Sequence, residues 1–462
     1  MALIKSISGI RGTIGNKPGE NLTPLDIVKF TAAFGTILKG EKDSIRIVVG
    51  RDGRISGPMV QQLVVSTLVG LGIEVIDLGL STTPTVEMAV PAAAADGGII
   101  ITASHNPREW NALKLLNEKG EFIDAALGAQ VLSLAEREQF TFASVEKLGT
   151  VTAADYKDHH LDAIVNYPLV DVAAIGEKKF KVVVDAINST GAIYVPALLQ
   201  RLGVQDIVVL NEIVNGKFAH PPEPLPEHLQ ELCHEVVRQG ADLGIAVDPD
   251  VDRLCFVNED GTLFGEEYTL VAVADYILSK RPGYAVSNMS STKSLKELAL
   301  AKGGQYAAAA VGEVNVVAKM KAVQAVIGGE GNGGIIVPDF HYGRDALIGI
   351  GLFLSHLALS GKKMSALRKR YPDYFISKNK IELQPGTDLS AIFSAIQKKY
   401  AQHPLQTDDG LKIEFDADWV HLRSSNTEPI IRIYAESDLE SKASHIAQQL
   451  MRDIKEFSQS LS

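Results

Sequence analysis

One order of elements recurs three times along the chain, and this recurrence restricts the fold more than any other feature. Residues 45–79 run as an apolar strand (IRIVVG), a polar loop (RDGRISG), a helical segment (PMVQQLVVSTLVGLG) and a second strand (IEVIDLG). Residues 180–210 repeat that order with FKVVVD, AINSTG, AIYVPALLQRLG and DIVVLN. Residues 284–312 repeat it more loosely, as YAVSNM, SSTK, SLKELALAKGG and QYAAAAVG. Short β-branched apolar runs followed by helical periodicity are the pattern of βαβ units. Gly falls at or near each helix end, where a left-handed residue closes the last turn.

The copies continue in parallel, reaching GGIIITASHNP, ADLGIAVDPDVDR and VQAVIGGEGNGG. Each is an apolar strand opening into a polar loop, and ligands of open α/β sheets bind beyond the carboxyl ends of strands. The three loops are therefore expected to face one central crevice. After about residue 370 the pattern changes to IELQP, a helix near 389–400, KIEF, WVHLR, IIRIYAE and a last helix from about 438. That mixture predicts a small α+β domain. The expected domains are 1–150, 151–253, 254–370 and 371–462, with PPEPLP at 221–226 a rigid surface loop.

A chain of 462 residues is too long for one core. No apolar run approaches the ~20 residues needed to cross a bilayer, and MALIKSISGIRGTIG lacks the apolar stretch of a secretory signal. Cys233 and Cys255 are too few for a disulfide framework or a Cys-based zinc site and read as core thiols. A net charge of −11 disfavours nucleic-acid binding, which needs a basic face. A few cleft arginines still suffice for a small anion, because fields are screened over ~8 Å. The expectation is a cytoplasmic enzyme with a small-molecule substrate, bound to neither membrane nor nucleic acid.

Ser104 stands at the strand end in TASHNP, where Pro107 forces a turn. It is a turn or helix-cap serine, or a nucleophile; without a G-x-S-x-G elbow, acyl transfer is disfavoured. Asp248, Asp250 and Asp252 follow LGIAV in DPDVDR. At ~5 Å and an effective dielectric of about 20, each carboxylate pair repels by ~3 kcal/mol. A cation removes that cost, and an all-oxygen set suits Mg²⁺, Mn²⁺ or Ca²⁺; the other reading is a solvated acidic turn. An EF-hand would place Gly where Arg253 stands, and the following LCFV reads as strand, so that reading is rejected. Three carboxylates leave half of an octahedral shell for a phosphate oxygen and water. Arg253 can balance charge on a transferring phosphoryl group.

Arg423, Ser425, Asn426 and Thr427 lie in RSSNTEP, between two predicted strands. An Arg fork, hydroxyls, an amide and turn N–H groups make an anion nest, with Arg432 a further cation, although Ser and Asn also form ordinary turns. Glu330 and Asn332 in GEGNGG suit sugar hydroxyls, and the loop is no nucleotide fingerprint. Lys114 in NALKLL is an exposed lysine or, beside the nucleophile, a general acid/base.

In this order the loops resemble the α-D-phosphohexomutase family. The matching pieces are GIRG (Gly9–Gly12), GRDGRISG (Gly50–Gly57), TASHNP, DPDVDR, GEGNGG and RSSNTEP, which span nearly the whole chain. The resemblance implies three similar mixed-sheet α/β domains and a smaller C-terminal α+β domain around a central cleft. It implies that Ser104 is the phosphorylated serine, and that Asp248, Asp250 and Asp252 hold Mg²⁺ with the seryl phosphate. Arg11 and Arg253 become active-site cations, Lys114 the general base, and His105 a neighbour in the serine loop. Glu330 and Asn332 fall on the sugar loop; Arg423, Ser425, Asn426 and Thr427 fall on the phosphate loop.

The implied reaction moves a phosphoryl group between the 6- and 1-positions of a hexose through a hexose 1,6-bisphosphate, which also serves as activator. Asn332 stands where many members carry Ser, Gly334 where many phosphoglucosamine mutases carry His, and Pro249 where Gly is frequent. Glu313 lies where some relatives place His. The loops look most like an archaeal-type phosphoglucosamine mutase branch, with phosphomannomutase/phosphoglucomutase as the alternative. Outside the family stand a metal-dependent sugar phosphatase, against which the separate phosphate clamp argues, and a non-catalytic sugar-phosphate sensor. The expected assembly is a monomer or homodimer.

Overall fold

The computed structural model describes residues 3–6, 9–383, 388–424 and 430–460. The three copies fold alike. Strands Arg46–Arg51 and Glu74–Leu80 are parallel, joined by helix Gly57–Gly70, and Gly97–Ile101 pairs in parallel on the other side of the first strand. The second copy gives Lys181–Asp185 between Asp206–Leu210 and Leu243–Val247, again all parallel, with helix Gly191–Arg201 as the crossover. The third gives Tyr284–Asn288 between Gln305–Ala309 and Ile327–Glu330, with helix Ser294–Ala301. In each, the chain starts on a central strand, crosses to one neighbour and later returns to the other. A twisted parallel sheet favours such right-handed, short crossovers.

Antiparallel strands complete two of these sheets. Leu3–Ser6, Gly9–Thr13 and Trp110–Leu116 extend the first, and Val151–Ala153 joins its far edge in parallel. Leu254–Asn258 returns antiparallel beside Leu243–Val247. The C-terminal sheet is wholly antiparallel, in the order Phe375–Glu382, Ile430–Ser437, Trp419–Ser424, Leu411–Glu414, Leu405–Gln406. Helices Leu389–Lys399 and Glu440–Ser460 bury Ile392, Ile396, Leu450 and Ile454 against one of its faces.

The chain gathers into two compact units, one of residues 1–277 and 332–368, the other of 278–331 and 369–462. In the first, strands Gly97–Ile101 and Leu243–Val247 are buried at every position, as expected where both sheet faces are covered. Helix Ala346–Ser360, capped by Asp345, is buried from Ala346 to Ala358. Being apolar on all sides, it needs neighbours all round, and helices Lys157–Val165 and Val172–Lys178 are among them. Among the described residues no helix is long and apolar enough to cross a membrane. Cys255 is buried and Cys233 half-buried, both as free thiols.

Candidate active site

The first unit brings together the ends of two buried strands. Ser104 follows Gly97–Ile101 and takes a left-handed backbone, φ 48°, unusual for a residue with a Cβ. The turn is held from both sides. Its N–H donates to Thr102 Oγ1 (2.9 Å), whose hydroxyl donates to Asp52 Oδ2 (2.7 Å). Arg54, fully buried, pairs with Asp52 (3.0 Å) and donates to the carbonyls of Asn106 (2.7 Å), Pro107 (2.7 Å), Trp110 (2.9 Å) and Ser104. One guanidinium thus satisfies four carbonyls of the serine turn, which burial would otherwise leave costly.

Ser104 Oγ donates to Asp248 Oδ2 at 2.7 Å. Asp248, Asp250 and Asp252 are all fully buried, and one oxygen of each lies within 4.8 Å of the others. A second strained residue makes this possible: Val251, β-branched, sits at φ 62° in the middle of the loop. Asp248 Oδ1 accepts from the backbone of Asp252 (3.0 Å) and Arg253 (3.1 Å). Asp250 Oδ2 accepts from Thr83 Oγ1 (2.6 Å) and Lys114 Nζ (2.8 Å), and Asp252 Oδ2 from Arg344 Nη2 (2.7 Å).

Asp250 Oδ1 and Asp252 Oδ1 remain buried and, among the described residues, accept no hydrogen bond. Buried carboxylate oxygens left without donors, beside a third carboxylate, are a donor set for a hard cation. Burial, then repulsion from Asp252 and Asp250, pushes Asp248 well above the ordinary carboxyl range. Burial opposes the charge on Asp252 too, but Arg344, Lys114 and Arg253 together hold it below that range.

Besides Arg344, three cations and an imidazole stand at this cluster or on its strands: Lys114, Arg11, Arg253 and His105. Lys114 lies on Trp110–Leu116 opposite Gly9, while Arg11 lies opposite Ala112, so Arg11 and Lys114 share a sheet face. A Cβ at Gly9 would stand 2.3 Å from the Leu113 carbonyl, so only glycine allows that strand approach. Burial works against the charge of Lys114, but Asp250 and Asp252 outweigh it and hold the ammonium protonated. In this state it can give a proton and cannot take one. Arg253 pairs with Glu223 at 2.7 Å, which makes PPEPLP more than a surface loop. His105 is kept neutral by burial and then by Arg253.

Asn332 and Gly334 belong to the same unit; Asn332 Oδ1 accepts from Gly334 N–H at 3.1 Å and closes its own turn. Arg54, Asp52, Thr83, Arg344 and Glu223 escaped the sequence reading of the site. Arg54 and Asp52 lie inside GRDGRISG, the one signal that pointed at them.

The second unit carries the remaining residues. Glu330, buried, accepts from Asn288 Nδ2 (2.8 Å) and Gly312 N–H (3.1 Å) where two parallel strands end. Glu313 is buried nearby in sequence. Arg423 lies 2.7 Å from Asp409, whose Oδ2 also accepts from Val311 N–H (2.9 Å). Arg432 is exposed and stands directly across from Arg423 on one strand and Lys380 on the other. Ser425, Asn426 and Thr427 lie outside the described residues.

Models of the family described as phosphoglucomutase/phosphomannomutase match nearly the whole chain. Alpha/beta/alpha domains I, II and III cover residues 3–142, 158–261 and 265–374, and the C-terminal domain covers 380–453. A phosphoglucomutase/phosphomannomutase of Thermococcus kodakarensis is 38% identical over 440 residues, 94% of each chain. A phosphoglucosamine/phosphogalactosamine mutase of Sulfurisphaera tokodaii is 32% identical over 463 residues, 98% of this chain and 100% of that one. A crystal structure of a phosphoglucomutase/phosphomannomutase family protein from Burkholderia thailandensis matches with TM-score 0.83 at 26% identity, over 98% of both chains. The chain belongs to the phosphoglucomutase/phosphomannomutase family. It is an enzyme, a phosphohexomutase, which moves a phosphoryl group within a hexose phosphate.

Proposed function

We propose that the protein interconverts hexose 6-phosphate and hexose 1-phosphate through a phosphoserine at Ser104. The observation that carries this reading is the hydroxyl of Ser104 at 2.7 Å from Asp248, beside two buried carboxylate oxygens with no donor among the described residues. In the forward step the Oγ–P bond breaks, a P–O bond forms to the free sugar hydroxyl, and the hydroxyl's proton passes to Ser104 Oγ. The hexose 1,6-bisphosphate turns, and its other phosphoryl group returns to Ser104. That passage is a relay: Lys114, already protonated, gives its proton to Ser104 Oγ as the Oγ–P bond breaks and takes the sugar hydroxyl's proton in its place, while Arg11, Arg253 and the neutral His105 line the reacting phosphoryl group.

Asp248, Asp250 and Asp252 would hold Mg²⁺, which when bound supplies charge neutralisation for the phosphoryl group and lowers the hold of the carboxylates on the Lys114 proton. Glu330 and Asn332 are assigned to the sugar hydroxyls. Arg423, with Ser425, Asn426 and Thr427, is assigned to the non-reacting phosphate. The cation row Lys380–Arg432–Arg423 supports that assignment: Asp409 already balances Arg423, but Lys380 and the exposed Arg432 are directly opposed across strands, which is unfavourable until a further anion relieves them. A cytoplasmic location goes with a charged sugar-phosphate substrate.

For the sugar, the GEGNGG and RSSNTEP loops favour glucosamine 6-phosphate to glucosamine 1-phosphate. The relative at 38% identity, named a phosphoglucomutase/phosphomannomutase, favours glucose and mannose phosphates as the second reading. ³¹P NMR with Mg²⁺, a trace of hexose 1,6-bisphosphate and the 6-phosphates of glucosamine, glucose and mannose separates them. A 1-phosphate resonance is expected, fastest with glucosamine 6-phosphate. Inorganic phosphate alone would replace the mutase by a phosphatase, and no change in protein phosphorylated at Ser104 would sink the assignment.

A further inference from the structure

Two braces hold the acidic loop, and they come from opposite ends of the first unit's sequence. Thr83 donates to Asp250 twice, from its N–H to the carbonyl (2.9 Å) and from its hydroxyl to Oδ2 (2.6 Å). Arg344 holds Asp252 (2.7 Å), and Ala346 N–H reaches the Val251 carbonyl (3.2 Å). Each brace opens a helix: Thr83 begins Thr83–Ala92, capped by Thr82, and Arg344 precedes Ala346–Ser360, capped by Asp345. A brace places a carboxylate only as well as its own helix end is fixed.

Two imidazoles span the two helices: His341 lies 3.1 Å from Asp345 and 3.5 Å from Glu87, one turn into the first helix, and His160 ties the helix ends themselves. His160, on helix Lys157–Val165 and fully buried, makes a 2.8 Å contact from Nδ1 to Thr85 Oγ1 and a 2.9 Å contact from Nε2 to Asp345 Oδ2. Thr85 Oγ1 is in turn 2.7 Å from Thr82 Oγ1. One set of protons satisfies the whole chain: Thr82 O–H to Thr85, Thr85 O–H to Nδ1, and Nε2–H to Asp345. Asp345 spends its other oxygen on the backbone of Leu347 (2.8 Å) and Ile348 (3.3 Å), and also receives His341 (3.1 Å) at Oδ2. Through Thr85–Thr83–Asp250 on one side and Asp345–Arg344–Asp252 on the other, the contacts close into a ring.

We infer that His160 is a positioning residue for the acidic loop, setting the spacing of Asp250 and Asp252 by locking the helix ends that brace them. The inference rests on the reading of that loop as the metal site. A histidine that only filled the core would leave the geometry of the carboxylates untouched when replaced by something of its size, so metal binding separates the two roles.

The test is Mn²⁺ binding to the full chain, followed by electron paramagnetic resonance, with thermal unfolding as the check on folding. Thr85→Val, which keeps the side chain's shape, and His160→Phe, which keeps a planar ring at slightly larger volume, both delete the contacts and are expected to weaken Mn²⁺ by about 5–10-fold, somewhat less than loss of a direct outer-shell partner. Both should alter the bound Mn²⁺ line shape and lower kcat while KM for hexose phosphate stays put. His160→Gln, which keeps a donor toward Asp345, should fall between parent and His160→Phe. Parent-like affinity and line shape in folded His160→Phe or Thr85→Val would overturn the inference; should His160→Phe not fold, Thr85→Val decides. If the parent binds Mn²⁺ no better than Asp250→Asn does, the metal-site reading itself fails and takes the inference with it.

Discussion

Arg54 and Asp52 meet at 3.0 Å in a place where neither side chain reaches solvent. Burial pushes Asp52 above the usual carboxyl range while Arg54 draws it back, so each charge is tolerable only beside the other. The remaining guanidinium nitrogens hold the turn that carries Ser104. Lysine offers a point charge and cannot reach several carbonyls at once. Arg54→Lys keeps the charge but leaves buried carbonyls of the turn without donors, so it is expected to cost about 1–3 kcal/mol for each one orphaned and to lose most activity. Urea unfolding measures the first, and a cost below ~1 kcal/mol would show that the pair does not hold the turn.

Ser104→Ala and Ser104→Gly both remove the hydroxyl and are expected to abolish turnover and phosphorylation. They differ in backbone cost. At φ 48° alanine carries the left-handed penalty and glycine does not, so the glycine variant should be the more stable by about 1 kcal/mol. Melting curves of the two, side by side, check the strain; equal stabilities would show the turn is relaxed. Residual turnover in either would remove Ser104 as nucleophile.

His421 gives the second unit a dependence on pH. It is buried, with ring contacts to Ser290 Oγ (2.9 Å) and the Asp409 carbonyl (2.6 Å). Burial, then Lys412 against the pull of Asp409, lowers it from 6.5 to about 4. An unfolded chain takes up that proton below about pH 6.5 while the folded one resists until about pH 4. Stability is therefore whole above the unfolded value and drains away as pH falls between the two, by at most ~3 kcal/mol. His421→Gln should flatten the part of the slope between pH 4.5 and 6.5 in denaturant titrations, by about that amount. An unchanged slope would mean the imidazole is free to charge.

Gly334 touches the acidic loop at one remove. A Cβ there would stand 2.4 Å from Arg344 Cδ, in the middle of the side chain that holds Asp252. Gly334→Ala should push Arg344 aside, leave a buried carboxylate short of a donor at ~1–3 kcal/mol, and weaken divalent-cation binding about tenfold. Calorimetric titration with Mn²⁺ reads the effect, and parent-like binding would mean Arg344 adapts without letting go.

Much of this architecture was legible because local pattern and global fold agree. The runs IRIVVG, FKVVVD and YAVSNM carry the apolar pattern of first strands and fold as Arg46–Arg51, Lys181–Asp185 and Tyr284–Asn288. The loops TASHNP and DPDVDR drew notice because a serine at a strand end and three spaced carboxylates are chemically expensive without a use. What escaped was whatever depends on distance in sequence. Thr83 serves Asp250 from 167 residues away and Arg344 serves Asp252 from 92, and neither residue type is unusual where it stands. Helix Ala346–Ser360 escaped for the opposite reason: its run from Ala346 to Leu354 is apolar at every position and carries no periodicity to read.

That helix has a consequence for how the chain is made. The first unit is interrupted: its body ends at Ile277 and resumes at Asn332. At roughly 5–20 residues per second, synthesis of the insertion takes several seconds. Throughout that delay the helices Lys157–Val165 and Val172–Lys178 wait without the apolar rod that covers them. The nascent enzyme thus passes through a stage that presents sticky surface by necessity, and any truncation upstream of Ala346 would make that stage permanent.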